Sequence, residues 1–249
     1  MKADDFRQDP GPDLPPLGRD VHAWRIILDR PEWSIEDLKP ILSDTERTRA
    51  ARFYAARDRD RFIVGRGMLR TILGRYLGIA PDRLTFDAGP HGKPGLVGEH
   101  GGLEFNLTHS HGLAVLAIAV GRRVGVDIES IRPVREIENL VVRFFSPRER
   151  AEFVTVAPDR KLAAFFQAWT RKEAYIKAIG TGLATPLDSF DVGVDPDSAP
   201  GLIGVKGKPD EPGRWTMRDF DPGAGFLGAI VVEGSGWGLL GFEDGRAGA

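Results

Sequence analysis

The stretch Leu162 to Ile179 limits what this 249-residue chain can fold into. Leu162, Phe165, Phe166, Trp169 and Ile176 recur at helical spacing, and at about 100° per residue they form one apolar stripe. Glu173 falls inside that stripe, between Trp169 and Ile176. A lone carboxylate is costly to bury, so the stripe predicts a cation or a metal ion beside Glu173. Lys177 lies one turn further on, at the edge of the same face. The plainer alternative is a solvated Glu–Lys pair at i,i+4, a common helix ornament. The rest of the chain has to decide between them.

The net charge of −2 and a pI near 6.2 give no overall pull toward nucleic acid or an anionic membrane, so any anion site must be a local patch. A hydrophobic fraction of 41% supplies a sizeable core for one large domain or two small ones. There is no cysteine, which removes disulfides and thiol chemistry and fits a reducing compartment. Residues 1–20 are polar and hold Pro10, Pro12, Pro15 and Pro16, which predicts a flexible leader without a signal-peptide core. No run approaches the roughly 18 apolar residues of a membrane span. The expectation is a soluble cytoplasmic protein with no membrane or nucleic-acid partner.

Along the chain, Val21 to Leu28 suits a first strand. Ser43-Asp44-Thr45-Glu46 is a capping box that opens a helical pair, broken near Arg57-Asp58 and stopping at Gly78. From Arg47 to Arg75 that pair carries nine arginines against two acids. Strands are predicted at Arg83–Asp87, Leu103–Leu107, Leu113–Val120 and Val124–Glu129, with His109 and His111 in a loop after the second. Ser146-Pro147-Arg148-Glu149 caps another helix, the 162–179 helix ends at Gly180, and strands follow at 189–194, 214–220 and 226–233. Helices followed by three strands occur twice. The fold class is therefore α+β, as two similar α/β halves. The expected divisions are a leader 1–20, an N-terminal half 21–122, a C-terminal half 123–240 and a loose tail 241–249.

In the strand Val124–Glu129, Asp127 and Glu129 share one face and Val124, Val126 and Ile128 the other. Two adjacent carboxylates repel unless a cation sits between them, and a hard, oxygen-seeking ion such as Mg²⁺ suits the pair. Glu173 is the candidate third acid, and such a set leaves metal positions open for phosphate oxygens. An edge strand with a polar face is the competing reading of Asp127 and Glu129. His109, in a phosphate site, would donate to a phosphate oxygen. Lys93 puts a cation in the Gly92-Lys93-Pro94 turn, and Arg49 and Arg61 belong to the arginine-rich pair, where a few residues could form a local anion patch.

Taken together, these residues resemble the 4′-phosphopantetheinyl transferases, in the surfactin-type, broad-specificity branch. The resemblance is carried by Gly125-Val126-Asp127-Ile128-Glu129, by Phe144-Phe145-Ser146 with Glu149, and by Trp169-Thr170-Arg171-Lys172-Glu173-Ala174-Tyr175-Ile176-Lys177. Gly182-Leu183, Pro186-Leu187 and Phe190 follow, and Gly92-Lys93-Pro94 and Phe105-Asn106-Leu107-Thr108-His109-Ser110 precede them in order, over about residues 43 to 194. The resemblance implies a pseudo-duplicated α+β fold, two similar α/β halves with the active site in the cleft between them. It also implies transfer of the phosphopantetheine arm of coenzyme A to a serine of an apo acyl or peptidyl carrier protein, releasing 3′,5′-ADP, by a monomer. It implies Asp127, Glu129 and Glu173 as Mg²⁺ ligands, with Asp127, Glu173 and Lys177 catalytic. Glu173 would also activate the serine, and Lys177 would meet the pyrophosphate. His109 and Lys93 would contact coenzyme A phosphates, with Arg49 and Arg61 at the adenosine end. Thr108 stands where the family usually has Ser, and Arg49 where some relatives have Lys. Two other readings stay open: a Mg²⁺-dependent hydrolase of coenzyme A or nucleotides, and a carrier-protein or nucleotide-binding module without catalysis.

Overall fold

The computed structural model describes residues 1–29, 34–89 and 91–243. In chain order the elements are β1 (Arg7–Gln8), β2 (Val21–Ile27), α1 (Ile35–Leu38), α2 (Asp44–Ala50), α3 (Ala56–Leu77), β3 (Phe86–Ala88), β4 (Pro94–Leu96), β5 (Leu103–Ser110), β6 (Leu113–Val120) and β7 (Val124–Ser130). There follow α4 (Ile137–Phe144), α5 (Pro147–Thr155), α6 (Lys161–Ile179), β8 (Phe190–Val192), β9 (Leu202–Val205), β10 (Trp215–Phe220), β11 (Phe226–Glu233) and β12 (Leu239–Glu243). Among the described residues no helix is long and apolar enough to cross a membrane.

The strands form a five-stranded sheet in the order β1-β12-β2-β6-β5, a three-stranded sheet in the order β10-β11-β7, and two small hairpins. One face of the larger sheet packs Trp24, Ile26, Leu116 and Ile118 against Leu69, Ile72 and Leu73 of α3. Its other face, through Ala23, Val115 and Ala117, meets Val124, Val126, Ile128, Ile230 and Val232 of the smaller sheet. The outer face of the smaller sheet, with Met217, Ala229 and Val231, is covered by α6. The fold is thus mixed α+β: two helix-on-sheet halves joined sheet to sheet. The long helices stop at Gly78 and Gly180, whose φ of 65° and 74° lie in the left-handed region that closes a helix C-terminus at little cost only for glycine.

Several expectations change. The leader is not loose: Phe6 is buried, β1 pairs with β12, and Asp9 takes both ends of the Arg75 guanidinium at 2.8 and 3.0 Å. The tail does not begin at residue 241. β12 runs through Glu243 and lies parallel between β1 and β2, with Phe242 stacked on Trp24 at 4.9 Å. The C-terminal half therefore returns its last strand to the N-terminal sheet; residues 244–249 of the expected tail lie outside the described residues. β5 extends through Ser110, so His109 sits in a strand rather than a loop, and the strand expected at 83–87 shrinks to Phe86–Ala88 behind a turn of 3-10 helix at Pro81–Arg83.

The 162–179 helix differs too. α6 is covered on nearly every side, and its polar residues Arg171 and Lys172 are fully buried. Lys172 pairs with Glu149 at 2.7 Å, both side chains 0% exposed, and donates to the Leu187 and Phe190 carbonyls. Arg171 pairs with Asp219 and donates to the Gly193 carbonyl. A charge taken out of water needs this full set of partners. On the face toward β7, a Cβ at Gly125 would collide with the Ala174 carbonyl and the Ala178 amide nitrogen, and would lie 2.8 Å from Ala178 Cα. Only a glycine, facing two alanines one turn apart, lets helix and strand backbones touch.

Two predictions follow from this packing. Gly125→Ala, whose methyl meets backbone that cannot rotate away, is expected to cost about 3 kcal/mol and to lower the Tm by about 6–12 °C; an unchanged melting curve would refute the close approach. The second concerns His22, fully buried and 2.6 Å from the Tyr76 hydroxyl, which also accepts the Trp24 indole N–H at 3.0 Å. Burial lowers the His22 pKa from 6.5 to about 4, against a smaller upward pull from Asp20. The unfolded chain then binds the extra proton first, so this contribution to stability is intact above about pH 6.5 and is lost as the pH falls toward 4, up to about 3 kcal/mol. The wild-type Tm should drop more steeply between pH 7 and 4.5 than that of His22→Asn; parallel curves would exclude the effect.

Candidate active site

Strand alternation points Gly125, Asp127 and Glu129 of β7 toward α6, and the opposite face, Val124, Val126 and Ile128, into the core between the sheets. Because the backbones touch at Gly125, the next turn of α6 hangs over Asp127. The Lys177 ammonium donates to Asp127 Oδ1 at 2.5 Å and to Thr108 Oγ1 at 3.0 Å, and the Thr108 hydroxyl donates to the same Asp127 oxygen at 3.1 Å. Asp127 is only 4% exposed, and its second oxygen, Oδ2, is buried with no hydrogen-bond partner among the described residues.

Glu173 and Glu129 belong to the same electrostatic group. Burial raises the Glu173 pKa, the charges of Asp127 and Glu129 raise it further, and Lys177 opposes them. Burial likewise holds Asp127 above the usual carboxylate range, Glu129 adding to the effect and Lys177 and Thr108 working against it. Glu129 is tied through Oε2 to Ser110 at 2.9 Å and to Arg132 at 3.4 Å. Among the described residues no three acidic or histidine side chains are drawn into a ready metal cage. The Lys177 ammonium supplies the positive charge at Asp127 Oδ1. Each acid nevertheless keeps an open oxygen: Asp127 Oδ2, Glu129 Oε1 and both of Glu173 have no hydrogen bond among the described residues.

Thr108 connects this group to a groove. Thr108 and His109 line a cavity of about 210 Å³ together with Arg49, Arg61, Phe62 and Arg66. Cavities of about 520 and 340 Å³ share Arg49 and Phe62 with it, the latter also lined by His109, His111 and Asp58. Arg49 lies over the Phe62 ring at 5.1 Å and has no ion pair among the described residues. Arg61 is held by both oxygens of Asp29, at 2.7 and 2.6 Å, and that bidentate contact keeps the Asp29 carboxyl well below its ordinary pKa. The fold therefore gathers Asp127, Glu129, Glu173 and Lys177 into one cluster, and Arg49, Arg61 and His109 into the groove beside it.

Lys93 stands apart from both. Its ammonium donates to the Val124 carbonyl at 2.9 Å, at the opening of β7, and burial lowers its pKa. Reading the sequence also missed the seam. β5 and β7 are edge strands of different sheets, and Asn106, Thr108 and Ser110, alternate residues on β5, reach across to β7. Polar residues at period two, Glu104, Asn106, Thr108 and Ser110, alternating with Leu103, Phe105 and Leu107, were the available signal.

A family model described as 4′-phosphopantetheinyl transferase superfamily matches residues 123–231, and one described as 4′-phosphopantetheinyl transferase, N-terminal, matches residues 30–120. The chain is 40% identical over 229 residues to the 4′-phosphopantetheinyl transferase HetI of Nostoc sp., covering 91% of this chain and 93% of that one. It is 28% identical over 214 residues to the 4′-phosphopantetheinyl transferase Sfp of Bacillus subtilis, covering 85% and 92%. Among solved structures, the holo-[acyl-carrier-protein] synthase of Neisseria meningitidis superposes on 45% of this chain and 98% of its own, with 27% identity and a TM-score of 0.34. The chain belongs to the 4′-phosphopantetheinyl transferase family, in its Sfp-like branch, and is an enzyme of that class.

Proposed function

We propose that the chain transfers the 4′-phosphopantetheine arm of coenzyme A to a serine hydroxyl of an apo acyl or peptidyl carrier protein and releases 3′,5′-ADP. The observation that carries this reading is the junction at Thr108, which lines the arginine-bearing groove and also bonds to Asp127 and Lys177, beside three carboxylates that each keep an oxygen without a hydrogen bond among the described residues. Asp127, Glu129 and Glu173 would hold Mg²⁺; the orphaned Asp127 Oδ2, buried beside two other acids, is the atom that most needs a cation. A bound Mg²⁺ supplies charge neutralisation at the diphosphate.

The chain's own groups account for the rest. Arg49 offers a guanidinium with no ion pair among the described residues and Phe62 a flat face at the adenosine end of the groove, with Arg61 and His109 as further donors to phosphate oxygens. Lys93 would have to leave the Val124 carbonyl to reach a phosphate. The carrier serine oxygen attacks the phosphorus bearing the pantetheine arm, and the bond from that phosphorus to the bridging oxygen of ADP breaks. Glu173, with no hydrogen bond among the described residues and a pKa raised by burial, accepts the serine proton. Lys177 offsets the negative charge that passes to the departing ADP. Both halves of the site come from one chain, Thr108 from one sheet and Asp127 and Lys177 from the other, so a monomer suffices. On this reading the enzyme works in the cytoplasm, where coenzyme A and newly made apo carriers meet, and has no use for nucleic acid or membrane.

The direct test is incubation with coenzyme A, Mg²⁺ and a panel of apo carrier proteins, read by intact mass. The carrier should gain one phosphopantetheine; 3′,5′-ADP released without any modified carrier would identify a hydrolase instead. Glu173→Gln is expected to lower kcat about 10²–10⁴-fold with the melting temperature retained, and normal turnover would remove Glu173 from the mechanism. Arg49→Ala is expected to raise the KM for coenzyme A about 10-fold while kcat stays near wild type; an unchanged KM would take Arg49 out of the nucleotide groove.

A further inference from the structure

β5 and β7 run side by side as the edges of two different sheets, without a backbone ladder between them. Side chains of β5 do the joining. Asn106 Oδ1 accepts the Val126 amide at 2.8 Å, and Ser110 Oγ accepts the Ser130 amide at 3.2 Å. Ser110, which is buried, has a further commitment: its Oγ lies 2.9 Å from Oε2 of Glu129. The chemistry of the neighbours fixes where the hydroxyl proton goes. A backbone N–H can only donate and an ionised carboxylate can only accept. The Ser130 amide takes one lone pair, so the single O–H is aimed at Glu129; the second lone pair faces His111 Nδ1 at 3.3 Å. Arg132 approaches the same Glu129 oxygen at 3.4 Å. Glu129 is therefore tethered by one oxygen, while Oε1 has no hydrogen bond among the described residues.

We propose that Ser110 is a positioning residue for Glu129: it touches no substrate, but it orients the carboxylate so that Oε1 faces the divalent-ion site shared with Asp127 and Glu173. The inference rests on the Mg²⁺ reading above. A serine that only ties two strands together would need the Ser130 contact alone; the donated proton on Glu129 is surplus to that task. Hydrogen-bond partners that orient metal ligands typically change metal affinity about 10–100-fold when removed, whereas a strand tie changes stability and leaves ion affinity as it was.

The test measures Mn²⁺ affinity through the electron paramagnetic resonance signal of the free ion, in saturating coenzyme A, for wild type, Ser110→Ala, Ser110→Cys and Ser110→Thr. Melting temperatures and the KM for coenzyme A at saturating metal are measured alongside. Ser110→Ala should weaken Mn²⁺ binding about 10–100-fold with the KM for coenzyme A near wild type, and Ser110→Thr, which keeps the hydroxyl, should restore it. Ser110→Cys fills the same space with a poor donor and should behave like the alanine variant, which keeps the comparison open if Ser110→Ala is too unstable to assay. Wild-type Mn²⁺ affinity in both the alanine and the cysteine variants would overturn the positioning role. A wild-type chain that binds no Mn²⁺ would overturn the metal reading itself, and this inference with it.

Discussion

The site depends on one close approach, the backbone of α6 lying against the backbone of β7 at Gly125, Ala174 and Ala178. Any side chain there would lift the helix and carry Glu173 and Lys177 away from Asp127. A helix pressed onto a sheet edge must also be stopped from rolling, and its buried cations do this. Arg171 is fixed to Asp219 and to the Gly193 carbonyl, and Lys172 to Glu149 and to the carbonyls of Leu187 and Phe190. Glu149 in turn caps α5 and accepts the Val192 amide, so the clamp on α6 is continuous with α5 and β8. From residue 171 onward α6 holds three cations, each with a carboxylate partner, and one acid, Glu173, that has no hydrogen bond among the described residues. That imbalance is a consequence of packing, and it leaves an acid poised beside two others.

The same economy governs the seam between the halves. Two edge strands in contact would ordinarily form a ladder or be kept apart. Here polar side chains at every second position of β5 take the place of the ladder, which leaves β7 free to aim its own carboxylates at α6 instead of being drawn into one continuous sheet. The return of β12 to the N-terminal sheet, parallel to β2, ties the chain's end across this seam. The two halves are thereby joined by the side chains of β5 and by β12, and Thr108, bonded to Asp127 and Lys177, links the groove to the carboxylates.

The parts of this arrangement that were legible in the sequence are those with a period. Alternation put Asp127 and Glu129 on one face of a strand, and helical spacing put Glu173 in an apolar stripe with Lys177 a turn away; their convergence needed the resemblance as well. Aperiodic partnerships were not legible. Phe6 and Asp9 anchor a Pro-rich segment whose composition reads as loose, because a single buried ring and one bidentate ion pair leave no pattern. β12 hides in a Gly-rich stretch since Gly241 must let Met1 and Phe6 pass close by. Lys93 looks like an anion contact in any Gly-Lys-Pro turn, and nothing local tells that it finds the Val124 carbonyl. Arg171 and Lys172 look like solvated helix charges until their partners, Asp219 of β10 and Glu149 of α5, are known.

The groove answers how a chain of net charge −2 can attract a polyanion. Of the arginines around it, most are already committed: Arg66 and Arg70 to Glu46, Arg57 and Arg61 to Asp29. Two guanidiniums on one carboxylate still leave a net positive charge at Asp29, and they hold that carboxylate ionised far below neutral pH, so the arrangement keeps its geometry as pH varies. A paired arginine retains N–H groups that its partner does not use, and because the partner fixes the fork, less entropy is lost when a phosphate binds them. Arg49 is different. Its attachment is to the face of Phe62, which orients the guanidinium without neutralising it. The groove thus combines fixed donors with the Arg49 charge, which no ion pair among the described residues cancels, and on the proposed reading this local excess directs the negative end of a ligand into the groove and its reacting phosphate toward Lys177 and the carboxylates beside it.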